Sequence, residues 1–261
     1  MEYAGYLASL LIGIALGLIG GGGSILTIPI LVYLFGLNPK SATTYSLFIV
    51  GFTAAIGALR HYLMGNIHVK SALVFAVPSL ATLLAVRKFL LPQLPETLVT
   101  AGDFVLSKDT FIMALFALLM VAASYSMIRT KSPAQPGTLQ PVRIAIIGSL
   151  VGVVTGFLGA GGGFLIIPAL IFFTSIDMKQ AVGTSLLIIA FNSLLGFAGD
   201  MIGGAEVDYR LLFSVSAFAT VGIFIGTQLS RKIDGSKLKP AFGWFVLVMG
   251  LYIIGRELLA R

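Results

Sequence analysis

Two glycine runs are the places where this chain's backbone is equipped for chemistry. The first is Gly20-Gly21-Gly22-Gly23-Ser24 and the second Gly159-Ala160-Gly161-Gly162-Gly163, each set inside a long apolar stretch. Glycine lets backbone N–H groups approach a ligand closely and adopt positive φ. A helix restarting at such a run, near Ser24 or Gly163, aims unpaired N–H groups and the positive end of its dipole at the break. That combination attracts an anion. The candidate binding residues are therefore Gly20, Gly21, Gly22, Gly23 and Ser24, with Gly159, Gly161, Gly162 and Gly163 in the second run. No Gly-Lys-Ser/Thr follows either run, which excludes a phosphate-binding Walker loop.

Close helix packing is the competing account of glycine in an apolar stretch. Gly13-xxx-Gly17 and Gly152-xxx-Gly156 fit the small-xxx-small pattern and are read as packing positions. The longer runs hold more consecutive glycines than packing requires, so they are read as binding or hinge elements.

Asn192 and Thr53 join the candidate site because each is polar near the centre of an apolar run. An amide buried in hydrocarbon is costly without a partner, whether that partner is another helix or a substrate. Thr43, Thr44, Ser46, Thr184 and Ser185 sit near the starts of their runs, where N-capping is expected. Pro29 and Pro168 fall inside the short segments after the breaks and are expected to kink them. His61 and His68 border a basic loop without a carboxylate or cysteine at ligand spacing, so no metal site is expected. Asp200 is expected to end a helix, and no charge is placed deep in any run, so no proton relay is evident. No nucleophile–base pair, His-Glu-x-x-His helix or carboxylate cluster is present, so there are no catalytic residues, no cofactor is implied and the chain is not an enzyme.

The elements that must position these groups follow from composition. Of 261 residues, 57% are hydrophobic and 10% charged, too few charges to cover a soluble surface. The net charge of +7 sits just outside apolar runs rather than along a stripe with aromatics, so it marks membrane flanks and not nucleic-acid binding. The absence of cysteine removes disulfides and thiolate metal sites. The N-terminus lacks a basic n-region and runs on beyond signal-peptide length, and is read as a retained membrane segment.

Apolar runs occur at 4–35, 41–64, 68–91, 110–128, 142–176, 180–202, 208–229 and 240–260. Most match the ~20 residues that span a bilayer. The first and fifth are too long for one crossing and are expected to break at their glycines into hairpins or half-helices. The expected fold is therefore all-α and polytopic, with eight to ten membrane helices.

The two breaks also align with each other. Gly13, Gly17, Gly20, Pro29, Lys40, Ser46 and Gly57 recur as Gly152, Gly156, Gly159, Pro168, Lys179, Ser185 and Gly196 at one constant spacing. The chain is an internal duplication: residues 1–128 form a first repeat, 129–141 a polar proline-rich linker, and 142–261 a second repeat. The positive linker belongs in the cytoplasm. Inverted halves place the larger share of Lys and Arg, including Arg60, Lys70, Lys179 and Arg231, on the linker's side, whereas parallel halves do not. Inversion is preferred, although Arg87 and Lys88 fall outside in either arrangement.

The doubled pattern Gly-x-x-Gly-x-Gly-Gly-(Gly/Ser)-x-x-x-x-Pro resembles the sulfite exporter TauE/SafE family. It occurs here as Gly20-to-Pro29 and Gly159-to-Pro168, preceded by Gly17 and Gly156 and followed by Asn38-Pro-Lys-Ser-Ala-Thr-Thr and Asp177-Met-Lys-Gln-Ala-Val-Gly-Thr-Ser. The resemblance implies a plasma-membrane permease for sulfite, organosulfonates or related sulfur anions. Together with the breaks it points to a secondary transporter using alternating access. An anion channel, or a permease for another solute such as a carboxylate, is the alternative. The expected partners are a small anion and the lipid bilayer. A homo-oligomer is compatible with the sequence, and no coupling ion is identified by it.

Overall fold

The computed structural model describes residues 2–101, 104–129, 141–158, 163–174, 176–233 and 235–259. Its helices in the first half are α1 (Glu2–Ile19), α2 (Gly22–Tyr33), α3 (Pro39–Leu63), α4 (Val69–Ala85) and α5 (Lys108–Arg129). Those of the second half are α6 (Pro141–Leu158), α7 (Gly163–Thr174), α8 (Met178–Ile202), α9 (Tyr209–Lys232) and α10 (Gly235–Leu259). The first long apolar run is thus divided at its glycines, and within the second α6 ends at Leu158 and α7 begins at Gly163. Five helical segments are long and apolar enough to cross a membrane: Pro39–Leu63, Val69–Gln93, Pro141–Leu158, Met178–Ile202 and Tyr209–Lys232.

One element departs from the all-helical expectation. After α4 the helix widens to a π turn at Val86–Leu90, and an antiparallel hairpin of β1 (Thr97–Ala101) and β2 (Phe104–Ser107) precedes α5. This stretch lies between two apolar runs, so its backbone is free to pair as strands outside the hydrocarbon.

Local chemistry sets the helix ends at matching places in the two halves. Asn38 caps α3 by accepting the Ser41 N–H at 2.7 Å, with Pro39 in the first turn. Asp177, at the equivalent position, caps α8 by accepting the Gln180 N–H at 2.8 Å. An acceptor side chain there satisfies one of the donors that every helix start leaves open. The turns that end α3 and α8 are also equivalent, with Gly65 at φ 72° and Gly204 at φ 84°. Only glycine takes this left-handed conformation without a Cβ penalty.

Glycine-mediated contacts fix how the helices lie against one another. On α1, Gly13 abuts the Ala219 carbonyl and Gly17 abuts Gly226 and Thr227; on α9, Gly222 abuts Leu10 and Gly226 abuts Ile14. The two helices therefore run side by side in the same direction. An equivalent parallel pair forms where Gly148, Gly152 and Gly156 of α6 meet Phe75, Ser79 and Leu83 along α4. In the middle, α3 crosses α8 antiparallel: Gly51 meets Ser193 and Leu194, Gly57 meets Leu186, and Gly183 meets His61. Each half thus lends its first helix to the other half. Contacts this close are stabilised by dispersion and backbone approach rather than by expulsion of water, as expected in lipid.

The positions assigned to packing, Gly13, Gly17, Gly152 and Gly156, all lie at these contacts without room for a side chain. Gly13→Leu is expected to drive its side chain into the α9 backbone and to destabilise the protein by about 1–3 kcal/mol or more. Gly255, which faces open space on α10, should accept Leu with little change. Thermal unfolding of the two variants in detergent checks the contrast.

Candidate anion site at the helix breaks

The chain reverses sharply at the first break. Gly20 ends α1 at φ 80°, and its N–H donates to the Leu16 carbonyl at 2.7 Å. Gly21 then precedes α2 and donates to the Ile19 carbonyl at 3.1 Å. From there α2 folds back on α1, so that Gly23 rests against the Ile12 carbonyl and the Leu16 side chain. The first long run is therefore a hairpin of two helices rather than one broken crossing.

The start of α2 is buried and has no side-chain cap. Gly21 stands at the cap position without offering a side-chain acceptor, and every residue from Gly20 to Leu31 is buried in the chain's interior. The hydroxyl within the first turn itself, Ser24 Oγ, donates to the Gly21 carbonyl at 2.7 Å and so leaves the first-turn N–H groups unserved. Buried donors of this kind normally have a partner. The arrangement is a concentrated patch of positive backbone potential inside the protein.

The second half closes over this patch. Gly20 lies against Ser185 Oγ and Val182 of α8, and Gly163, the first residue of α7, lies against Gly21 and Ile189. The start of α7 and the α1–α2 turn thus meet directly. Gly22 and Gly23 are buried with Gly20, Gly21 and Ser24. Gly159, Gly161 and Gly162 lie outside the described residues.

Asn192 and Thr53 are both fully buried, but they differ in what they leave open. Thr53 Oγ1 donates to the Ile49 carbonyl of its own helix at 2.6 Å. Asn192 Nδ2 donates to Ser79 Oγ of α4 at 2.8 Å, while its Oδ1 has no partner. Ser46 Oγ and Ser193 Oγ are buried without partners too. Unspent hydrogen-bonding capacity in an interior is costly and rare in a core that is only packed.

Several capping expectations fail here, two of them because side chains bond across elements, which linear spacing does not reveal. Thr44, expected to cap α3, donates instead to Asp200 Oδ2 at 2.8 Å. Thr184, expected to cap α8, accepts the His68 N–H at 2.9 Å. Thr43 and Ser185 bond carbonyls within their own helices, to Lys40 and Val182, and the caps are Asn38 and Asp177.

The largest omission is a buried ion pair. Arg87 Nε donates to Asp200 Oδ1 at 2.6 Å and Arg87 Nη2 to Asp200 Oδ2, with side chains only 7% and 12% exposed. The guanidinium also reaches the Gly156 carbonyl at 3.3 Å and Thr44 Oγ1 at 3.3 Å, so it joins α3, α4, α6 and α8. Asp200 therefore does more than end a helix, and charge does lie within the bundle. A second buried cation, Lys108, donates to the Leu91 and Leu94 carbonyls. Both arginine and lysine sit at the margins of apolar runs, where a sequence assigns them to loops.

His61 is also buried, and neither of its ring nitrogens has a partner. Among the described residues no three His, Cys, Asp or Glu side chains gather as metal ligands.

Helices able to span a bilayer, wrapped around a buried backbone break, define a multi-pass membrane protein. The chain belongs to the sulfite exporter TauE/SafE family, which it matches over residues 6–253. It is 33% identical to a probable membrane transporter protein of Xylella fastidiosa (strain 9a5c), covering 95% of this chain and 92% of that one. It is 30% identical to the probable membrane transporter protein YdhB of Bacillus subtilis, over 95% of this chain and 98% of the relative. A 24% identical relative, the probable membrane transporter protein MJ0441 of Methanocaldococcus jannaschii, is covered over 92% of its length. The protein is accordingly a membrane transporter of a small solute and not an enzyme.

Asp200→Asn leaves the Arg87 guanidinium buried without its counter-charge and is expected to cost about 3–5 kcal/mol. Replacing both residues with leucine should recover much of that loss, because the desolvation cost disappears with the charges. The midpoints of thermal unfolding for the single and double variants test this.

Proposed function

We propose that the protein carries a small oxyanion, of the sulfite or organosulfonate class, through a site built on the two helix breaks. The observation that carries this reading is the buried, uncapped start of α2 meeting the start of α7 at Gly21 and Gly163. Backbone N–H groups and a helix dipole stabilise an anion without a formal positive charge, so the ion is bound yet can leave. The described residues of the α1–α2 turn include no side-chain charge, which suits a transported ligand better than a permanently held one. Gly20 to Ser24, Gly159, Gly161, Gly162 and Gly163 form the proposed binding backbone, with Asn192 and Thr53 beside it.

The transport cycle we infer is alternating access between two inverted halves. Its support is directional. Helices α1, α3 and α9 run one way and α4, α6 and α8 the other, as the glycine contacts and the Asn192–Ser79 and Arg60–Thr227 bonds indicate. Helices α1, α3 and α4 then run opposite to their counterparts α6, α8 and α9. Repeats related in this way can exchange conformations across a central site. The positive linker between the halves belongs on the cytoplasmic side.

Sulfite, thiosulfate or a small sulfonate should raise the melting temperature of the purified protein in a concentration-dependent manner. Gly22→Val should remove that response while the protein still inserts and folds. Stabilisation only by a cation or an uncharged solute, or an unchanged response in the variant, contradicts the anion site. Single cysteines placed at Lys70 and Asp208 should label from opposite faces of the membrane, and labelling from one face contradicts inversion.

A further inference from the structure

The bundle carries a second basic feature, distant in character from the glycine breaks. The ends of α3 and α9 enclose a recess of about 200 Å³ lined by Arg60, Leu63, Met64, Thr227, Gln228 and Arg231. It contains two guanidinium groups, an amide and a hydroxyl, and no acidic side chain among the described residues. Arg231 has no acidic partner among the described residues, and Asp234, close to it in sequence, lies outside them.

Arg60 is held in place rather than free. Its Nη1 donates to Thr227 Oγ1 at 2.7 Å and to the Phe224 carbonyl at 3.2 Å. Its guanidinium lies over the Phe224 ring, 4.5 Å from the centroid. Those contacts use one edge and one face of the guanidinium, leaving other N–H donors open to the recess. A fixed guanidinium beside a second one suits an oxyanion, which each can grip through paired N–H groups.

The surroundings say where such an oxyanion comes from. On either side of Arg60 along α3, Leu59 and Leu63 are 62% and 78% exposed. On the adjoining face of α9, Val221, Phe224 and Ile225 are likewise exposed. In a membrane-spanning bundle these side chains face acyl chains, so the recess sits where an apolar surface ends and two arginines begin. A soluble anion has no use for that apolar border, whereas a phospholipid has both parts. Basic pockets between helices at the membrane surface commonly take anionic headgroups.

We propose that Arg60 and Arg231 form a binding site for the phosphate of an anionic phospholipid, with its acyl chain along the exposed faces of α3 and α9. The lipid bridges the two halves of the protein, since α3 belongs to the first repeat and α9 to the second. The proposal stands apart from the transported-anion site and does not depend on it.

The test is thermal unfolding of purified, delipidated protein with short-chain phosphatidylglycerol, phosphatidylcholine of the same chain length, and inorganic phosphate. Phosphatidylglycerol is expected to stabilise the protein, and the other two to have little effect. The double variant Arg60→Gln/Arg231→Gln should raise the half-saturating lipid concentration roughly tenfold or more, as loss of paired charge-assisted bonds predicts. Arg210→Gln, an exposed change at the opposite end of α9, should leave it unaltered. Should the double variant fail to fold, Gln228→Glu places a like charge in the recess at an exposed position and must weaken lipid binding in the same direction. Equal stabilisation by inorganic phosphate identifies a site for free anions and overturns the lipid assignment. An undiminished lipid response in the recess variants, or an equal loss in Arg210→Gln, overturns the site itself.

Discussion

A backbone turn inside a membrane protein has to be wrapped, because hydrocarbon supplies no hydrogen-bond partner for an exposed N–H or carbonyl. The reversal at Gly20–Ser24 imposes that requirement here, and much of the bundle is arranged around it. The turn is covered by α8 through Val182 and Ser185 and by α7 through Gly163. For α7 and α8 to come that close, their own half must reach across the first half. The exchange of first helices, α1 onto α9 and α6 onto α4, brings this about. Glycine recurs at those contacts because only the absence of a side chain lets two helix backbones approach so nearly.

Polar chemistry in the bundle then separates into two kinds. Arg87 and Asp200 are a closed pair, saturated by each other, by Thr44 and by the Gly156 carbonyl. A buried pair of this sort adds little net stability over apolar packing, but it fixes which helices lie together. Asn192 Oδ1, Ser46, Ser193 and the His61 ring are the opposite, buried groups whose bonding is incomplete. Through its bond to the Gly156 carbonyl, Arg87 ties the ion pair to the helix that leads into the second break. A movement of α6 relative to α4 and α8 would have to break or carry that bond.

The two ends of the α3–α8 crossing are chemically unlike. At one end Asp200 on α8 meets Arg87; at the other, the equivalent position on α3 is His61, which has no partner, and the neighbouring Arg60 turns to α9 instead. The two halves share backbone features, seen in the paired caps Asn38 and Asp177 and the paired turns Gly65 and Gly204, while the side chains at this pair of positions differ. One end is locked by charge and the other opens into a basic recess.

The sequence by itself determined the membrane class and where the long apolar runs are interrupted, because hydrophobic run length and glycine punctuation are local properties of the chain. It also marked Asn192 as a polar group that needs a partner. Tertiary structure decided that the first long run is a hairpin, since Gly23 must find Ile12 and Leu16 for α2 to fold back. It also decided the fate of the charges and hydroxyls. Arg87 and Asp200 are 113 positions apart, and Thr44 and Asp200 are 156 apart, so no spacing rule connects them. Local chemistry suggested that Thr44 and Thr184 would cap their helices, but packing α3 against α8 and its loops offered each a partner from another element. Which polar groups end satisfied and which stay open is set by helices crossing, and that geometry exists only once the chain has folded.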